Sequence, residues 1–376
     1  MERIMATRYT TDYRQDLRLL RTRPQQVLAV LLVLVAVAVP FIFTMDYRPP
    51  MNFPWASWLT NINFALVAAI GAAAFNLLLG YTHQISVAHA AFLMLGTMVA
   101  AWMGVIHGVP FLLVLVAATL SGAIVGAIVA LPALRFRGLY LLVATLGVHF
   151  IFLFVYRVFL VHFFGFAGIR FDRPTLPGWL PFLPVEEGEA GFMIAGNFRW
   201  YWFLLLMAVL SIGFMSNLVR SREGRAFRAI AEHDVSASLI GINVTKSKLL
   251  AFSVSSAFVA LSGALSSYYL GARGEDSFTF GLVLNFAIMI IVGGYATMRG
   301  AVFGAFFFYL APLLFRWGTV NTPILRDIDV LQRYESETHL AIFGILIILI
   351  LVLRPAGLVG VWDGIKNYFS RWPYTT

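Results

Sequence analysis

Ten times between residues 26 and 353 the chain runs through an apolar stretch of bilayer-crossing length: near 26–44, 62–80, 88–106, 109–131, 138–162, 200–219, 249–270, 281–297, 300–315 and 338–353. A crossing helix needs about 20 mostly apolar residues. In lipid, every backbone N–H and C=O must find a partner within the protein, so runs of this length fold as helices. The expected fold is all-α, a polytopic membrane protein of about ten transmembrane helices. Composition agrees, since 12% of residues are charged against roughly 25% in a soluble domain. The run Val27–Thr44 behind Arg14, Arg18, Arg21 and Arg23 exceeds the roughly 7–15 residues of a signal-peptide core, so it reads as a retained first span.

The net charge of +9 is concentrated at span flanks, which is the positive-inside pattern of a membrane protein and points away from nucleic acid. Placing the N-terminus inside gives a cytoplasmic segment over 1–25, a transmembrane domain over 26–353 and a cytoplasmic tail over 354–376. Arg135 and Arg137, the segment 220–248 and Arg299 then also face inside. The loop 316–337, with Arg316, Arg326 and Arg333 outside, fits this topology least well. The external segment 163–199, rich in Pro, Gly and Trp, reads as a cap or docking surface, or as a plain long loop. The second to fifth and the seventh to tenth spans form two groups of four with opposite entry, an inverted repeat of the kind found in transporters.

Polar residues stand out against this background. Gly80–His89 breaks the apolar pattern with His83, Gln84, Ser86 and His89. Such a break is tolerated at membrane depth where it lines a cavity; the competing assignment is an ordinary turn with Ser86 capping the next helix. His149 lies mid-span, between a pathway role and simple packing, and Arg157 snorkels toward an interface. Gly122, Gly126, Ser255, Ser256, Ser262, Gly263, Ser266 and Ser267 make small-residue faces for close helix packing.

The segment 220–248 is the largest internal polar stretch on the inner side. It carries Arg220, Arg222, Arg225, Arg228, Lys246 and Lys248. A first helical arm is expected over about 223–231, then a short helix capped by Asp234, running 235–240 and ending at Gly241. Two short helices at an angle suit a knob gripped by a soluble partner, although an amphipathic pair lying on the membrane has a similar pattern. The chain has no phosphate-binding G-x-x-x-x-G-K-[ST] loop and no acid–base or metal constellation. It is therefore expected to be no enzyme and to bind no cofactor itself. Spans two to ten contain no Asp or Glu, which weighs against an ion-driven secondary transporter or channel, the alternative class. Cysteine is absent, so thiolate and disulfide chemistry are excluded.

The stretch from Arg228 to Phe252, together with 80–92, 134–147, 293–304 and 353–360, resembles the high-affinity branched-chain amino-acid ABC importer permeases, and within them the LivM-type subunit. The resemblance covers about 60–360. It implies a permease subunit in a bacterial inner membrane, carrying a branched-chain amino acid or a related amide or organic acid inward. The implied partners are a second, LivH-like permease, two ATP-binding subunits that hold ATP and Mg and hydrolyse it, and an extracytoplasmic solute-binding protein. It places ATPase coupling on Arg225, Glu232, Asp234, Ala237 and Gly241, beside a substrate pathway of His83, Gln84, Ser86, His89, His149 and Phe150. The chain departs from the family in several places. His83 and Ala88 stand where Gly is common, Phe150 where an acid is common, and Ala296 and Ala301 where Gly and Pro are usual. Losing the acid at 150 favours a less polar or an anionic solute over a zwitterion.

Overall fold

The computed structural model describes residues 34–42, 55–133, 136, 139–165, 168–177, 191–194, 196–321, 335–354 and 356–371. The stretch 34–42 is helical; the remainder of the expected first span, the segment 1–25, Arg135, Arg137, 178–190 and 322–334 lie outside the described residues. The other helices are α1 Trp55–Thr82, α2 His89–Ala100 with a π-helical turn Ala101–Ile106, α3 Phe111–Ala133, α4 Leu139–Phe164, α5 Gly196–Arg220, α6 Arg222–Glu232, α7 Asp234–Leu239, α8 Val244–Leu270, α9 Phe280–Gly294, α10 Met298–Asn321, α11 Glu335–Leu353 and α12 Gly357–Arg371.

Seven of these are long and apolar enough to cross a membrane, or eight if the pair Ala341–Leu353 and Gly357–Gly364, bent by 55°, counts as one span. The count of ten is not reproduced among the described residues. Beyond the first span, the shortfall comes from α9. It has 15 residues, about 22 Å at 1.5 Å per residue, and stops where the chain turns at Tyr295–Thr297. Two ends also moved. α8 starts at Val244 because Asn243 caps it, its Oδ1 accepting from Lys246 N at 3.0 Å. α10 runs through Arg316, which the sequence pattern places in a loop.

The core is the crossing of α1 and α8, the two most buried spans. Ser255 Oγ donates to the Ala74 carbonyl at 2.7 Å and Ser262 Oγ to the Val67 carbonyl at 3.0 Å, satisfying both hydroxyls inside the seam. The small residues work as expected for packing. A Cβ on Gly263 would lie 2.3 Å from the Leu93 carbonyl oxygen, and one on Gly126 2.5 Å from Ser256 Cβ. Close backbone approach of this kind stands in for the hydrophobic effect that lipid removes.

Packing between helices has an exchanged pattern. α1 lies along α10, the third helix of the group α8–α11, while α8 lies along α3, the third helix of the group α1–α4. Within each group the second and third helices also pack, α2 on α3 and α9 on α10. Within the expected external segment, β1 Ile169–Arg170 pairs antiparallel with β4 Ala272–Arg273, and β2 Thr175–Pro177 with β3 Gly191–Met193.

Candidate functional site

Two helix breaks meet at the end of the bundle that carries α6 and α7. α1 ends at Thr82, and His83 turns the chain with φ +49°. α9 ends at Gly294, and Ala296 turns the chain with φ +56°. Asn76, wholly buried in the last turns of α1, secures the second break. Its Nδ2 donates to the Thr297 carbonyl at 2.8 Å and its Oδ1 accepts from Ala296 N at 3.2 Å. Tyr295 Oη donates back to the Leu79 carbonyl at 2.6 Å. The two breaks are thus one joint, in which backbone groups freed by interrupted helices find partners across the gap, as membrane burial requires.

The α6–α7 elbow is fastened to that joint. The His83 ring shares a hydrogen bond through Nδ1 with the Ala231 carbonyl at 2.7 Å, near the end of α6. The same ring stacks on Tyr295, centroids 5.9 Å apart, and the Arg228 guanidinium stands 5.8 Å over the Tyr81 ring. α6 buries Gly224, Phe227 and Ile230 and exposes Arg225 and Arg228. α7 differs from its expected form by one residue. His233 is the N-cap, its Nδ1 accepting from Ser236 N at 3.5 Å. Asp234 is already helical and instead pairs with Lys248 in the second turn of α8. The shift has a physical cause, since a carboxylate held by an ammonium is not free to reach the helix's own N–H groups. Gly241 follows with φ +85°, the left-handed C′ geometry that closes a short helix. Ala237 is buried, whereas Val235, Leu239 and Ile240 are 51%, 82% and 73% exposed. A short helix that, with its C-terminal cap residue, presents three aliphatic side chains outward while its polar residues tie it down is shaped for a partner surface.

The six residues expected along the pathway do not form one group. Ser86 and His89 line one small cavity with Phe75, Leu78, Phe92, Ser255, Ser256 and Val259. His89 is buried between Phe75 and Phe286, ring centroids 4.7 and 4.4 Å away, and its Nε2 has no hydrogen-bond partner. Ser86 Oγ accepts from Ala88 N at 3.3 Å, and Gln84, also buried, donates to Thr82 Oγ1 at 3.1 Å. His83 is exposed and engaged with α6 instead. His149 is buried in α4 with Nδ1 unpartnered, but it is not in the lining of that cavity. Phe150 is 59% exposed on the outer side of α4. Thr145, a turn earlier on α4, escaped sequence analysis although it joins the break directly, its Oγ1 accepting from Val87 N at 3.0 Å. A lone Thr in an apolar span carries no signal by itself. Asn76 is equally silent in sequence, and only its place opposite Ala296 reveals its task.

Comparison with known proteins gives this geometry its context. Residues 57–351 match the family described as the branched-chain amino acid transport system permease component. The high-affinity branched-chain amino acid transport permease LivM of Escherichia coli K12 is 27% identical over 355 residues, 90% of this chain and 76% of that protein. A probable LivM of Methanocaldococcus jannaschii is 26% identical over 249 residues, 66% of this chain and 68% of the relative. The xylose transport permease XylH of Escherichia coli K12 is 33% identical over 108 residues, 27% of this chain and 28% of that protein. No solved structure matches the chain. With the family match running from α1 almost to the end of α11, the chain belongs to the branched-chain amino acid transport permease family.

Proposed function

We propose that this chain is the membrane-spanning permease subunit of an ABC importer that moves a small solute inward, a branched-chain amino acid or a related amide or organic acid. The observation that carries the proposal is the α6–α7 elbow, which presents exposed aliphatic residues at its tip and is fastened at its root to both helix breaks. ATP and Mg are held by two partner ATPases, which seat on α7 and on Arg225, Glu232 and Gly241. Ala237 and the Asp234–Lys248 pair keep α7 in place. Closure of the ATPases swings the elbow. His83 carries that motion from the Ala231 carbonyl into the His83–Ala88 break, and the joint secured by Asn76 and Tyr295 transmits it to α9 and α10.

A second, LivH-like permease completes the pathway. Phe150 on the exposed side of α4 contributes there, while Ser86, His89 and the adjoining serines act within this subunit, with Gln84 and His149 supporting the walls. The exchanged packing of α1 on α10 and α8 on α3 supports an inverted repeat whose interface is that core. The elbow faces the cytoplasm, both termini lie on the same side, and an extracytoplasmic binding protein docks at the opposite end.

The decisive experiment is uptake by the importer reconstituted in vesicles with its binding protein. Transport should require the ATPases and be abolished when they are catalytically dead. Uptake that persists without working ATPases overturns the proposal in favour of a secondary transporter or channel.

A further inference from the structure

The end of the bundle remote from the elbow holds a cation that coupling does not use. α8 is 27 residues long, about 40 Å, and Arg273 follows its last turn. The β1–β4 pair sets Arg273 opposite Ile169. From there its guanidinium turns inward. Nη2 donates to Ser266 Oγ at 2.8 Å, and that hydroxyl in turn donates to the Gly263 carbonyl at 2.9 Å. The guanidinium carbon stands 5.3 Å from the centre of the Phe278 ring. Nε is sealed from solvent and has no hydrogen-bond partner.

A second orphan stands beside it. Tyr156 of α4 is wholly buried, packs edge-on against the same Phe278 at 5.2 Å, and its hydroxyl also has no partner. Tyr309 of α10 is close enough to act on the guanidinium electrostatically. Among the described residues no Asp or Glu pairs with Arg273. Glu275, two residues on, is held by Arg157, whose Nε donates to both carboxylate oxygens at 2.9 Å. Burial pushes the Arg273 pKa below its ordinary value.

A sealed donor on a cation is costly unless something supplies the missing acceptor. In membrane proteins, ionisable groups at depth mark functional sites, counter-ions to a ligand among them. A cavity adjoins this end of the bundle. It is lined by Arg157, Gly165, Gly168, Gly274, Glu275 and Asp276 among others, and Gly274 directly follows Arg273, although neither Arg273 nor Tyr156 lines it. At Gly165 and Gly274 no heavy atom stands within 4 Å of where a Cβ would sit.

We propose that Arg273 and Tyr156 form a carboxylate-recognition site at the end of the permease opposite the elbow, where the carboxylate of the transported solute becomes the missing counter-ion. The Nε–H and the Tyr156 O–H are its two donors, and Phe278 and Tyr309 wall the apolar body of the solute. The proposal rests on the permease function above and narrows its cargo to solutes bearing a carboxylate, excluding neutral amides.

The test uses the purified full-length chain in lipid nanodiscs, with whatever subunits co-purify. Its thermal midpoint is titrated with isovalerate, with the neutral isostere isovaleramide, and with chloride. A saturable rise with isovalerate alone is expected. Tyr156→Phe should weaken its apparent affinity about tenfold, the loss of one hydrogen bond to a charged group, and Arg273→Gln should abolish the rise. Equal stabilisation by isovaleramide, or an isovalerate response unchanged in Tyr156→Phe, overturns the proposal; Tyr156→Phe decides if Arg273→Gln does not fold. The permease function fails by a different sign, the lack of ATPase-dependent uptake, so the two failures are separable.

Discussion

His83 and Ala296 are the two non-glycine residues at positive φ among those described. An L-residue in the left-handed region costs roughly 1–2 kcal/mol, and a chain retains that strain where surrounding contacts over-determine it. Here the contacts are the Ala231 carbonyl and the Tyr295 ring for His83, and the Asn76 side chain for Ala296. Ala296→Gly removes the strain without touching either Asn76 bond, because both go to backbone. It should raise stability by about 1 kcal/mol net of the added chain entropy of glycine, read as a higher thermal midpoint in nanodiscs; an unchanged or lower midpoint contradicts the strain. Asn76→Leu acts in the opposite direction. It keeps the volume but leaves the Ala296 N–H and Thr297 C=O buried without partners, at about 1–3 kcal/mol each, so a clear fall in the midpoint is expected. The sequence marked the first turn through the polar break at Gly80–His89, whereas at Ala296 it showed only a departure from the usual glycine and the expected span ran on through it. It did not mark Asn76, because one amide in a long apolar helix looks the same whether it caps a distant break or faces a neighbouring chain.

At the scale of elements, helices were legible wherever apolar length decided the outcome, and illegible where a break or a cap did. α9 reads as a span because its run continues past Gly294 into Tyr295-Ala296-Thr297, and hydropathy is blind to the turn that stops it. The α6–α7 elbow was legible from its charges and from Gly241. Its cap was misplaced by one residue because Asp234 had a better partner in Lys248, 14 residues away. The exposed tip carries its own prediction. Leu239→Asp alters a side chain that is 82% exposed, so stability of the folded chain should change by no more than about 0.5 kcal/mol. Co-purification of the ATPases and uptake should nonetheless be lost. A variant that still retains the ATPases and transports normally would show that the tip of α7 is not the docking surface. The seam between α3 and α8 responds in the reverse sense. Gly126→Leu places bulk where even a Cβ would lie 2.5 Å from Ser256 Cβ, so it should lower the yield of folded protein before any effect on coupling can be measured.

Across the whole molecule the central relation is between the elbow and the two breaks, which His83 joins through the Ala231 carbonyl and the Tyr295 ring. The pathway residues named from sequence were scattered by the fold for this reason. His83 looks like a cavity residue when only its apolar neighbourhood is considered, but it belongs to the link between α6 and the joint, and Ser86 and His89 lie beyond it. If motion passes through the contact between His83 and Ala231, breaking the contact should separate ATP hydrolysis from transport, and restoring it covalently should reconnect them. The chain has no cysteine of its own, so the experiment has a clean background. His83→Cys should leave the ATPases bound and hydrolysing while uptake falls several-fold. In the double variant His83→Cys with Ala231→Cys, a short methanethiosulfonate bridge should bring uptake back toward that of the unaltered importer, and reduction of the bridge should lose it again. Uptake that is unaffected by His83→Cys, or that fails to return on bridging, would mean that the elbow drives the membrane helices by another route, of which the Arg228–Tyr81 contact is the nearest.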